Sequence, residues 1–158
     1  MLFDRRKRRT FVVHFDGAIG RDGRATGLGV IIRDEKGRIL HWLCGRRGPL
    51  NSNEAEYAAL VFALEQVIKL RPHTVHFYSD NEVVVNQMKG VFAVRSPSLR
   101  RWHTRACRLA RLIPYVTFNH IPRERNLLAD ALATEALNGW IPLTEERDVR
   151  GGKLRHPR

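Results

Sequence analysis

The order of its predicted strands and helices limits the fold of this chain more than any other feature of the sequence. Alternating apolar and β-branched residues predict three strands in quick succession, at residues 11–16, 28–33 and 39–44. Helices and strands then alternate: a helix at 52–70, a strand at 74–79, helices at 80–88 and 97–113, a strand at 115–120 and a helix at 125–138. This order predicts an α/β protein with a mixed sheet and helices on its faces.

The charge of the chain indicates the kind of partner it has. Its 158 residues include 28 lysines and arginines against 16 acidic residues, which gives a formal net charge of +12 and a pI near 10.9. Such a surface attracts polyanions, and nucleic acid is the commonest of them. Cys44 and Cys107 lack the paired spacing of a zinc site and are too few for a disulfide framework. The sequence therefore favours a nucleic-acid partner and a reducing compartment.

The length of the chain suits one domain, which we place at residues 11–140. Residues 1–10 are predicted to be a basic N-terminal tail, and residues 141–158 a polar C-terminal tail. No stretch approaches the roughly 18 apolar residues of a membrane span, and the N-terminus lacks an apolar segment suited to secretion. We therefore expect a cytoplasmic protein with no membrane partner, and we expect it to be a monomer.

Four acidic residues occupy positions that do not suit a solvated surface carboxylate. Asp16 and Asp80 each end an apolar strand, where the sheet of an α/β protein opens into a crevice. Glu56 has apolar residues at i+4, i+7 and i+11, so it shares the helix stripe that faces the sheet. Asp130 shares a helix face with three apolar residues: Leu127, Ala133 and Leu137. A carboxylate on such a face is costly unless it is paired, hydrogen-bonded or bound to metal.

Each of these carboxylates alone has a structural explanation, as a loop or helix cap or as the partner of an arginine. The four together do not, because no matching set of four basic residues shares their positions. Oxygen ligands without a cysteine or histidine cluster favour Mg²⁺ or Mn²⁺ over zinc. Two such ions about 3.5–4 Å apart can activate a water and stabilise the leaving oxygen in phosphodiester cleavage.

Four segments resemble the motifs of type 1 ribonuclease H, in that family's order and spacing. They are residues 15–18 (Phe-Asp-Gly-Ala) with the glycines that follow, 51–57 (Asn-Ser-Asn-Glu-Ala-Glu-Tyr), 79–81 (Ser-Asp-Asn) and 126–133 (Asn-Leu-Leu-Ala-Asp-Ala-Leu-Ala). The resemblance spans about residues 11–137. It implies a ribonuclease H-like α/β fold, with a five-stranded mixed sheet whose first three strands are antiparallel and helices that flank it. It also implies an endonuclease that cuts the RNA strand of RNA–DNA hybrids.

By this resemblance, two Mg²⁺ ions, with Mn²⁺ as a substitute, are held by the four carboxylates. The resemblance implies that Asp16 contacts both ions and that Glu56 and Asp80 hold the ion nearer the leaving group. It implies that Asp130 lies on the side of the nucleophile. The implied reaction is in-line attack by an activated water, which leaves a 5′-phosphate and a 3′-hydroxyl. His120 stands where many members have a histidine that helps proton transfer or product release. Two interpretations stay open: His120 has that role, or it is a histidine at a strand end with no role in the reaction.

The resemblance also suggests where the substrate binds. It assigns substrate contacts to eight residues: Gly17, Ala18, Asn51, Ser52, Asn53, Asn81, Arg123 and Asn126. The turn after Asp16 and the segment 51–53 would meet the minor groove of the hybrid, where a 2′-hydroxyl distinguishes RNA from DNA. A glycine lets backbone approach a sugar, and asparagine amides both donate and accept hydrogen bonds. Arg123 would contact a phosphate.

One departure concerns how the substrate is gripped. Some members insert a basic, tryptophan-rich helix and loop after the helix that follows the third carboxylate. Here residues 88–95 lead directly to Ser96-Pro97, as in the archaeal-type branch that lacks this protrusion. The next helix offers five arginines instead: Arg100, Arg101, Arg105, Arg108 and Arg111. They form either a substrate-gripping face beside Trp102 or a solvated helix surface.

Three alternatives to a strictly hybrid-specific nuclease remain open. Some members of the archaeal-type branch cut double-stranded RNA, which makes it a second candidate substrate. A non-cleaving module that only holds hybrid or duplex RNA is another candidate, although a binder gains nothing from anions that face a phosphate. Transposases, integrases, junction resolvases and some exonucleases share this sheet and its acidic residues, but they usually lack a segment like residues 51–56.

Overall fold

Five strands form one mixed sheet in the computed structural model, which describes residues 8–138. Strands β1 to β5 are Thr10–Ile19, Thr26–Asp34, Ile39–Arg47, Thr74–Ser79 and Tyr115–His120. Their order across the sheet is β3-β2-β1-β4-β5. The first three strands pair antiparallel, β4 pairs parallel with β1, and β5 pairs parallel with β4. The predicted fold class is therefore confirmed.

Four helices flank the sheet within the described residues: α1 at Ser52–Ile68, α2 at Glu82–Met88, α3 at Pro97–Ala110 and α4 at Leu127–Leu137. Side-chain caps explain where three of them begin. Asn51, Asn81 and Ser96 each accept a hydrogen bond from a backbone N–H in the first turn of α1, α2 and α3. Two of the predicted motifs therefore coincide with helix N-termini.

The two faces of the sheet carry separate cores. The larger core includes Phe15, Tyr57 and Phe77 and draws its buried side chains from the sheet, α1 and α3. The smaller core joins α4 to β2 and β3 through Leu132, Ile31 and other buried residues. Both α1 and α4 contact β1, so the strand that carries the first predicted carboxylate is held by two helices as well as by two strands.

β1 is longer than predicted, which corrects the position of Asp16. The strand continues past Asp16 to Ile19, and Asp16 is paired with Gly29 of β2. Pairing between β1 and β4 ends two residues earlier, at His14 and Tyr78. Asp16 therefore does not end its own strand. It lies where β1 runs on beyond its pairing with the shorter β4, and this is the opening into which its carboxylate can project.

The predicted strands at 11–16 and 28–33 leave the glycine-rich residues 17–27 as a loop, which is wrong for Gly17 and Gly27. Both belong to the antiparallel ladder of these strands. A Cβ on Gly17 would lie 2.5 Å from the backbone carbon and oxygen of Ala55 in α1, and a Cβ on Gly27 would overlap the carbonyl oxygen of Ala133 in α4. These glycines therefore mark a close approach of helix to strand, which composition alone cannot distinguish from a turn.

The start of α4 corrects the surroundings predicted for Asp130. The helix begins at Leu127, two residues later than predicted, because Arg123–Arg125 forms a 3-10 turn. Leu127, which was expected to share a buried face with Asp130, is 58% exposed. Asp130 itself is half-buried. The predicted buried stripe fails in the first turn of α4 because this turn is open to solvent, whereas Ala133 is buried as predicted.

The other elements are confirmed with small differences in length. β4 and β5 have the predicted bounds, β2 and β3 are each longer by three residues, and α1, α2 and α3 are shorter by two or three residues. Residues 34–37, with the sequence Asp-Glu-Lys-Gly between the second and third predicted strands, indicate a hairpin turn, and the structure has one: Gly37 has φ of +81° and its N–H donates to the carbonyl of Asp34 at 3.0 Å.

Parts of the predicted tails lie outside the described residues. Residues 1–7 and 139–158 are not described, so the basic tail at 1–10, the polar tail at 141–158 and the domain limit at 140 stay predictions. Between residues 8 and 138, no helix has the length and apolar character needed to cross a membrane.

Candidate functional site

Three carboxylates from separate elements converge at one end of the sheet. Asp16 of β1, Glu56 of α1 and Asp80, directly after β4, each offer an oxygen, and these oxygens all lie within 4.8 Å of one another. Asp16 and Glu56 are only 6% and 5% exposed, whereas Asp80 is half-buried. We call these three residues the carboxylate cluster. Among residues 8–138 it is the one group of three or more potential metal-ligating side chains.

The fourth predicted carboxylate, Asp130, adjoins the cluster at Asp16. Burial is the main cause of the raised pKa of Asp16, and the carboxyl group of Asp130 adds to it through a side-chain interaction. Asp130 lies in the first turn of α4, where its backbone N–H donates to the carbonyl of Asn126 at 3.1 Å. The structure thus brings the four predicted carboxylates to the same end of the sheet, three in the compact cluster and the fourth beside Asp16.

Both oxygens of Glu56 are held by hydrogen bonds. The backbone N–H of Gly17 donates to Oε1 and the hydroxyl of Ser79 donates to Oε2, each at 3.1 Å. Ser79 is fully buried and its Oγ accepts a further hydrogen bond from the backbone N–H of Asn81 at 3.0 Å. The orientation of the Glu56 carboxylate is therefore set by β1 on one side and by the end of β4 on the other.

Asp80 is oriented by the side chain of Asn126, which is 1% exposed. The Asn126 Nδ2 group donates to Oδ1 of Asp80 at 2.9 Å and to the carbonyl of Phe15 at 3.0 Å. Asn126 was predicted to contact substrate, and that role stays a prediction. What the structure shows is a buried amide that connects β1, the end of β4 and the start of α4.

Burial is the main cause of the unusual electrostatics of the cluster. It raises the pKa of Asp16 well above its usual range, and the neighbouring carboxyl groups raise it further. Burial also raises the pKa of Glu56, although hydrogen bonds to its carboxylate act in the opposite direction. Without a cation, burial and the neighbouring carboxyl groups therefore favour the protonated form of Asp16. A divalent cation would favour the ionised form of both carboxyl groups, since its positive charge compensates their negative charges.

The predicted asparagine contacts lie beside the cluster at two helix N-termini. The Asn81 Nδ2 group donates to Oδ1 of Asn53 at 3.0 Å, and this bond joins the starts of α1 and α2. Asn51 caps α1 and is exposed, as is Ser52, whereas Asn53 and Asn81 are half-buried. These four predicted contacts are therefore neighbours, with part of each asparagine's hydrogen-bonding capacity already used within the protein.

His120 and Arg123 lie at the exposed margin of the site. His120 is the last residue of β5, and its Nε2 is 3.2 Å from the backbone carbonyl oxygen of Asp80. Arg123 opens the 3-10 turn that leads to α4 and is exposed. The structure thus places His120 against the backbone of a cluster residue, and Arg123 on the connection that follows. Gly17 and Ala18, also predicted contacts, are half-buried in β1 directly after Asp16.

The basic helix α3 borders a groove of about 340 Å³ next to the start of α1. The groove is lined by Glu54, Ser98, Arg101, Trp102 and Arg105. Arg105 forms an ion pair with Glu65 of α1 at 2.6 Å. All five arginines predicted to form a face are exposed, and within α3 itself there is no acidic residue to balance them.

Sequence reasoning missed the role of Ser79 and the positioning contacts of Asn126. The signal for Ser79 was available, because residues alternate along β4 so that Val75, Phe77 and Ser79 face the same core. A serine on that face needs a buried hydrogen-bond partner. No comparable signal marks Asn126, since its partners are 46 and 111 residues away along the chain.

Comparison with known proteins identifies a family model and two relatives that match this chain. Residues 14–136 match the family model described as reverse transcriptase-like. Ribonuclease HI of Halobacterium salinarum is 32% identical over 125 residues, which cover 79% of this chain and 63% of that protein. A bifunctional protein of Mycobacterium tuberculosis is 33% identical over 91 residues, 58% of this chain and 25% of that protein. The chain therefore spans less than two thirds of each of these relatives.

Solved structures agree with the sequence comparison. The crystal structure of ribonuclease H1 from Halobacterium salinarum matches with a TM-score of 0.78 and 31% identity, over 82% of this chain and 98% of that one. A ribonuclease H1 crystallised in complex with RNA/DNA hybrid matches with a TM-score of 0.76 and 34% identity, over 82% of this chain and 97% of that one. The chain therefore belongs to the reverse transcriptase-like family with the ribonuclease H fold, and its resemblance to type 1 ribonuclease H is confirmed.

Proposed function

We propose that this chain is a ribonuclease H, a divalent-metal-dependent endonuclease that hydrolyses the RNA strand of RNA–DNA hybrids. The observation that carries the proposal is the carboxylate cluster, with Asp130 beside it. A buried anionic site on a chain of net charge +12 would repel the phosphates that the rest of the surface attracts, unless cations occupy it. The name of the halobacterial relative and the hybrid-bound ribonuclease H1 support the same assignment. We place the enzyme in the cytoplasm as a monomer.

The donor atoms of the cluster fit Mg²⁺, with Mn²⁺ as a substitute. All of them are carboxylate oxygens, which hard divalent cations prefer. The raised pKa values of Asp16 and Glu56 have burial and other carboxyl groups as their causes, and a cation would offset both. We assign Asp16 to two ions, Glu56 and Asp80 to the ion nearer the leaving group, and Asp130 to the ion nearer the nucleophile.

Two ions at this site would supply an activated water and stabilise the leaving oxygen, so that the products carry 5′-phosphate and 3′-hydroxyl ends. The protein's part is to hold its carboxylates in place before the substrate arrives. Hydrogen bonds from Gly17 and Ser79 hold the Glu56 carboxylate, and a hydrogen bond from Asn126 holds that of Asp80. Ligands oriented in this way need little reorganisation during the reaction.

His120 is proposed to move a proton at the margin of the site. Its Nε2 lies 3.2 Å from the backbone of Asp80, and its ring is exposed to solvent. An imidazole can act as a general acid or base, which suits a step at which product leaves. Arg123, exposed on the next turn, is proposed to contact a phosphate of the substrate.

Recognition of the RNA strand is proposed to fall to the residues beside the cluster. Asn51, Ser52, Asn53 and Asn81 lie at the adjoining starts of α1 and α2, where their amides and hydroxyl can reach sugars and base edges in a minor groove. The backbone at Gly17 and Ala18 follows Asp16 directly. A 2′-hydroxyl on the substrate is the group that these contacts would distinguish.

The proposal is tested by offering the chain three labelled substrates in the presence of Mg²⁺: RNA–DNA hybrid, duplex RNA and duplex DNA. We expect cleavage of the RNA strand of the hybrid, with 5′-phosphate ends, and no cleavage when EDTA is added. Cleavage of duplex RNA at a similar rate would identify a broader ribonuclease. Preferential cutting of duplex DNA, or binding without cutting, would overturn the proposal.

A pair of matched substitutions ties the activity to the cluster. Asp80→Asn removes one ligand charge while keeping the shape of the side chain, and we expect it to reduce cleavage by at least about a thousandfold with hybrid binding retained. Glu82→Gln removes an exposed carboxylate two residues away, and its cleavage rate should stay close to that of the unmodified chain. Full activity in Asp80→Asn would contradict the assignment of metal ligands.

A further inference from the structure

Asn126 contacts the elements that carry three of the four carboxylates. Its Nδ2 group donates to Oδ1 of Asp80 at 2.9 Å and to the carbonyl of Phe15, the residue before Asp16, at 3.0 Å. The backbone carbonyl of Asn126 accepts from the backbone N–H of Asp130 at 3.1 Å. We propose that Asn126 is a positioning residue that sets the relative placement of these carboxylates for cation binding. This inference rests on the proposed function.

The burial of Asn126 separates this role from substrate contact. Only 1% of the residue is exposed, and both hydrogen-bond partners of its Nδ2 group belong to the protein. A side chain that touches a sugar or a base must present a free polar group at the surface. In contrast, a side chain that orients a ligand of a metal acts from behind it, as the hydrogen-bond partners of ligating residues commonly do.

The orientation of the Asn126 amide is settled by its partners. Both the Asp80 carboxylate and the Phe15 carbonyl are acceptors, so the group that faces them must be the NH₂. The other end of the amide, Oδ1, is buried and has no hydrogen-bond partner in the described part of the structure. Leaving a buried acceptor unsatisfied is energetically costly.

That unsatisfied oxygen argues against a purely architectural role. A residue that served only to join β1, β4 and α4 would be expected to satisfy both ends of its amide, as most buried polar groups do. Here the donor end is bound twice, and one of its partners is a cluster carboxylate, while the acceptor end is left over. The amide is therefore placed to orient the Asp80 carboxylate, although its own oxygen is left without a hydrogen bond.

Loss of this contact should weaken cation binding. The bond from Asn126 is the hydrogen bond described for the Asp80 carboxylate, which is otherwise half-open to solvent at the end of β4. Without it the carboxylate can rotate away, and the entropy of fixing it is then added to the cost of binding an ion. Removal of such a supporting partner typically lowers metal affinity by about 10–100-fold.

The experiment is a calorimetric titration of MnCl₂ into the full chain and into two variants, Asn126→Ala and Asn126→Leu. The leucine keeps most of the volume filled, so it separates loss of the hydrogen bonds from loss of packing. Asn119→Ala is the matched control, because Asn119 also donates through Nδ2 to a strand carbonyl, that of Phe77, but to no carboxylate. Melting curves in EDTA accompany each titration.

We expect both Asn126 variants to bind Mn²⁺ at least about tenfold more weakly than the unmodified chain, and Asn119→Ala to bind it within about twofold. In kinetics, the Asn126 variants should lose kcat at low Mn²⁺ and regain part of it at high Mn²⁺, with KM for hybrid little changed. Unchanged Mn²⁺ affinity in a folded variant overturns the inference. A raised KM with unchanged kcat also overturns it, since that pattern identifies a substrate contact.

The same titration distinguishes failure of the inference from failure of the proposed function. If the unmodified chain binds no divalent cation, the proposed metal-dependent reaction fails. If the unmodified chain binds Mn²⁺ and the Asn126 variants bind it equally well, only the positioning role of Asn126 fails.

Discussion

Gly17 of β1 donates its backbone N–H to Oε1 of Glu56 in α1, at 3.1 Å. The same strand and helix are so close at this point that a Cβ on Gly17 would lie 2.5 Å from the backbone of Ala55. Close packing of α1 on β1 and one of the two hydrogen bonds that orient the Glu56 carboxylate therefore occur at the same point. The absence of a side chain at position 17 is what permits both.

We expect Gly17→Ala to destabilise the chain and to impair cleavage together. The added methyl group must push α1 away from β1, which costs about 1–3 kcal/mol, and the hydrogen bond to Glu56 lengthens as a result. We expect kcat to fall at least about tenfold, which corresponds to 1.4 kcal/mol of transition-state stabilisation. Thermal unfolding and single-turnover cleavage measure the two effects.

Gly48→Ala is the control for this substitution, because a Cβ at Gly48 would meet no atom within 4 Å. Its melting temperature and cleavage rate should stay close to those of the unmodified chain. If Gly17→Ala left the melting temperature and the cleavage rate unchanged, the close approach of α1 to β1 would not be needed for the site.

In EDTA, the chain should lose stability as the pH rises above the usual pKa of an aspartate. The pKa of Asp16 is raised in the folded state, so its contribution is fully present below the unfolded value and is lost as the pH rises toward the folded value. Melting temperatures in EDTA should therefore fall between about pH 5 and pH 8, and Mg²⁺ should restore them most at the higher pH.

Asp16→Asn should remove most of this pH dependence and raise the melting temperature in EDTA at pH 8 by roughly 3–6 °C, as relief of about 1–2 kcal/mol does in a chain of this size. It should also remove the stabilisation by Mg²⁺. Glu35→Gln, at an exposed position in the β2–β3 turn, is the control and should follow the unmodified chain. A flat melting temperature from pH 5 to 8 in EDTA for the unmodified chain would contradict the raised pKa.

His120→Ala should slow the reaction without weakening substrate binding. If the imidazole beside the Asp80 backbone assists proton transfer, its removal should lower kcat by about 10–100-fold while KM stays within about twofold. His76→Ala provides the comparison, because His76 is hydrogen-bonded to Thr117 on the neighbouring strand and is not assigned to the site. An equal, small effect of the two substitutions would leave His120 with no part in the reaction.

The sequence was most informative where local chemistry decides the structure. β4 and β5 have the predicted bounds because β-branched and aromatic residues make up most of each strand and turn residues flank both. Asn51 and Ser96 likewise mark the starts of α1 and α3, since a side-chain cap acts within one helical turn. Glu56 was identified as buried from the apolar residues that follow it on the same helix face.

Contacts between distant elements could not be predicted in the same way. Gly17 and Gly27 suggested a loop by their composition, but they are glycines because helices α1 and α4 lie against their strands. Leu127 suggested a buried face, but the first turn of α4 is open to solvent. The amide of Asn126 reaches its two partners only once β1, β4 and α4 are assembled. Periodicity and composition carry no signal for contacts of this kind.

The groove beside α3 leads to a prediction about how the substrate is gripped. Arg101 lines this groove together with Trp102, and Glu54 connects it to the start of α1, two residues from Glu56. Arg105 has a carboxylate partner in Glu65, whereas no ion pair is described for the exposed Arg101. A guanidinium of this kind beside an aromatic ring suits a phosphate and the adjoining sugar or base of a bound strand.

We therefore expect Arg101→Ala to raise KM for hybrid several-fold at low salt, with kcat almost unchanged, because a phosphate contact contributes equally to the bound substrate and to the transition state. The slope of the logarithm of binding affinity against the logarithm of salt concentration should become shallower by about 1, the value for one lost phosphate contact. Arg111→Ala removes the same charge at the C-terminal end of α3, outside the groove, and should change both quantities less. Equal effects of the two substitutions would mean that α3 contributes only a diffuse positive charge, since a specific contact is sensitive to position and a diffuse field is not.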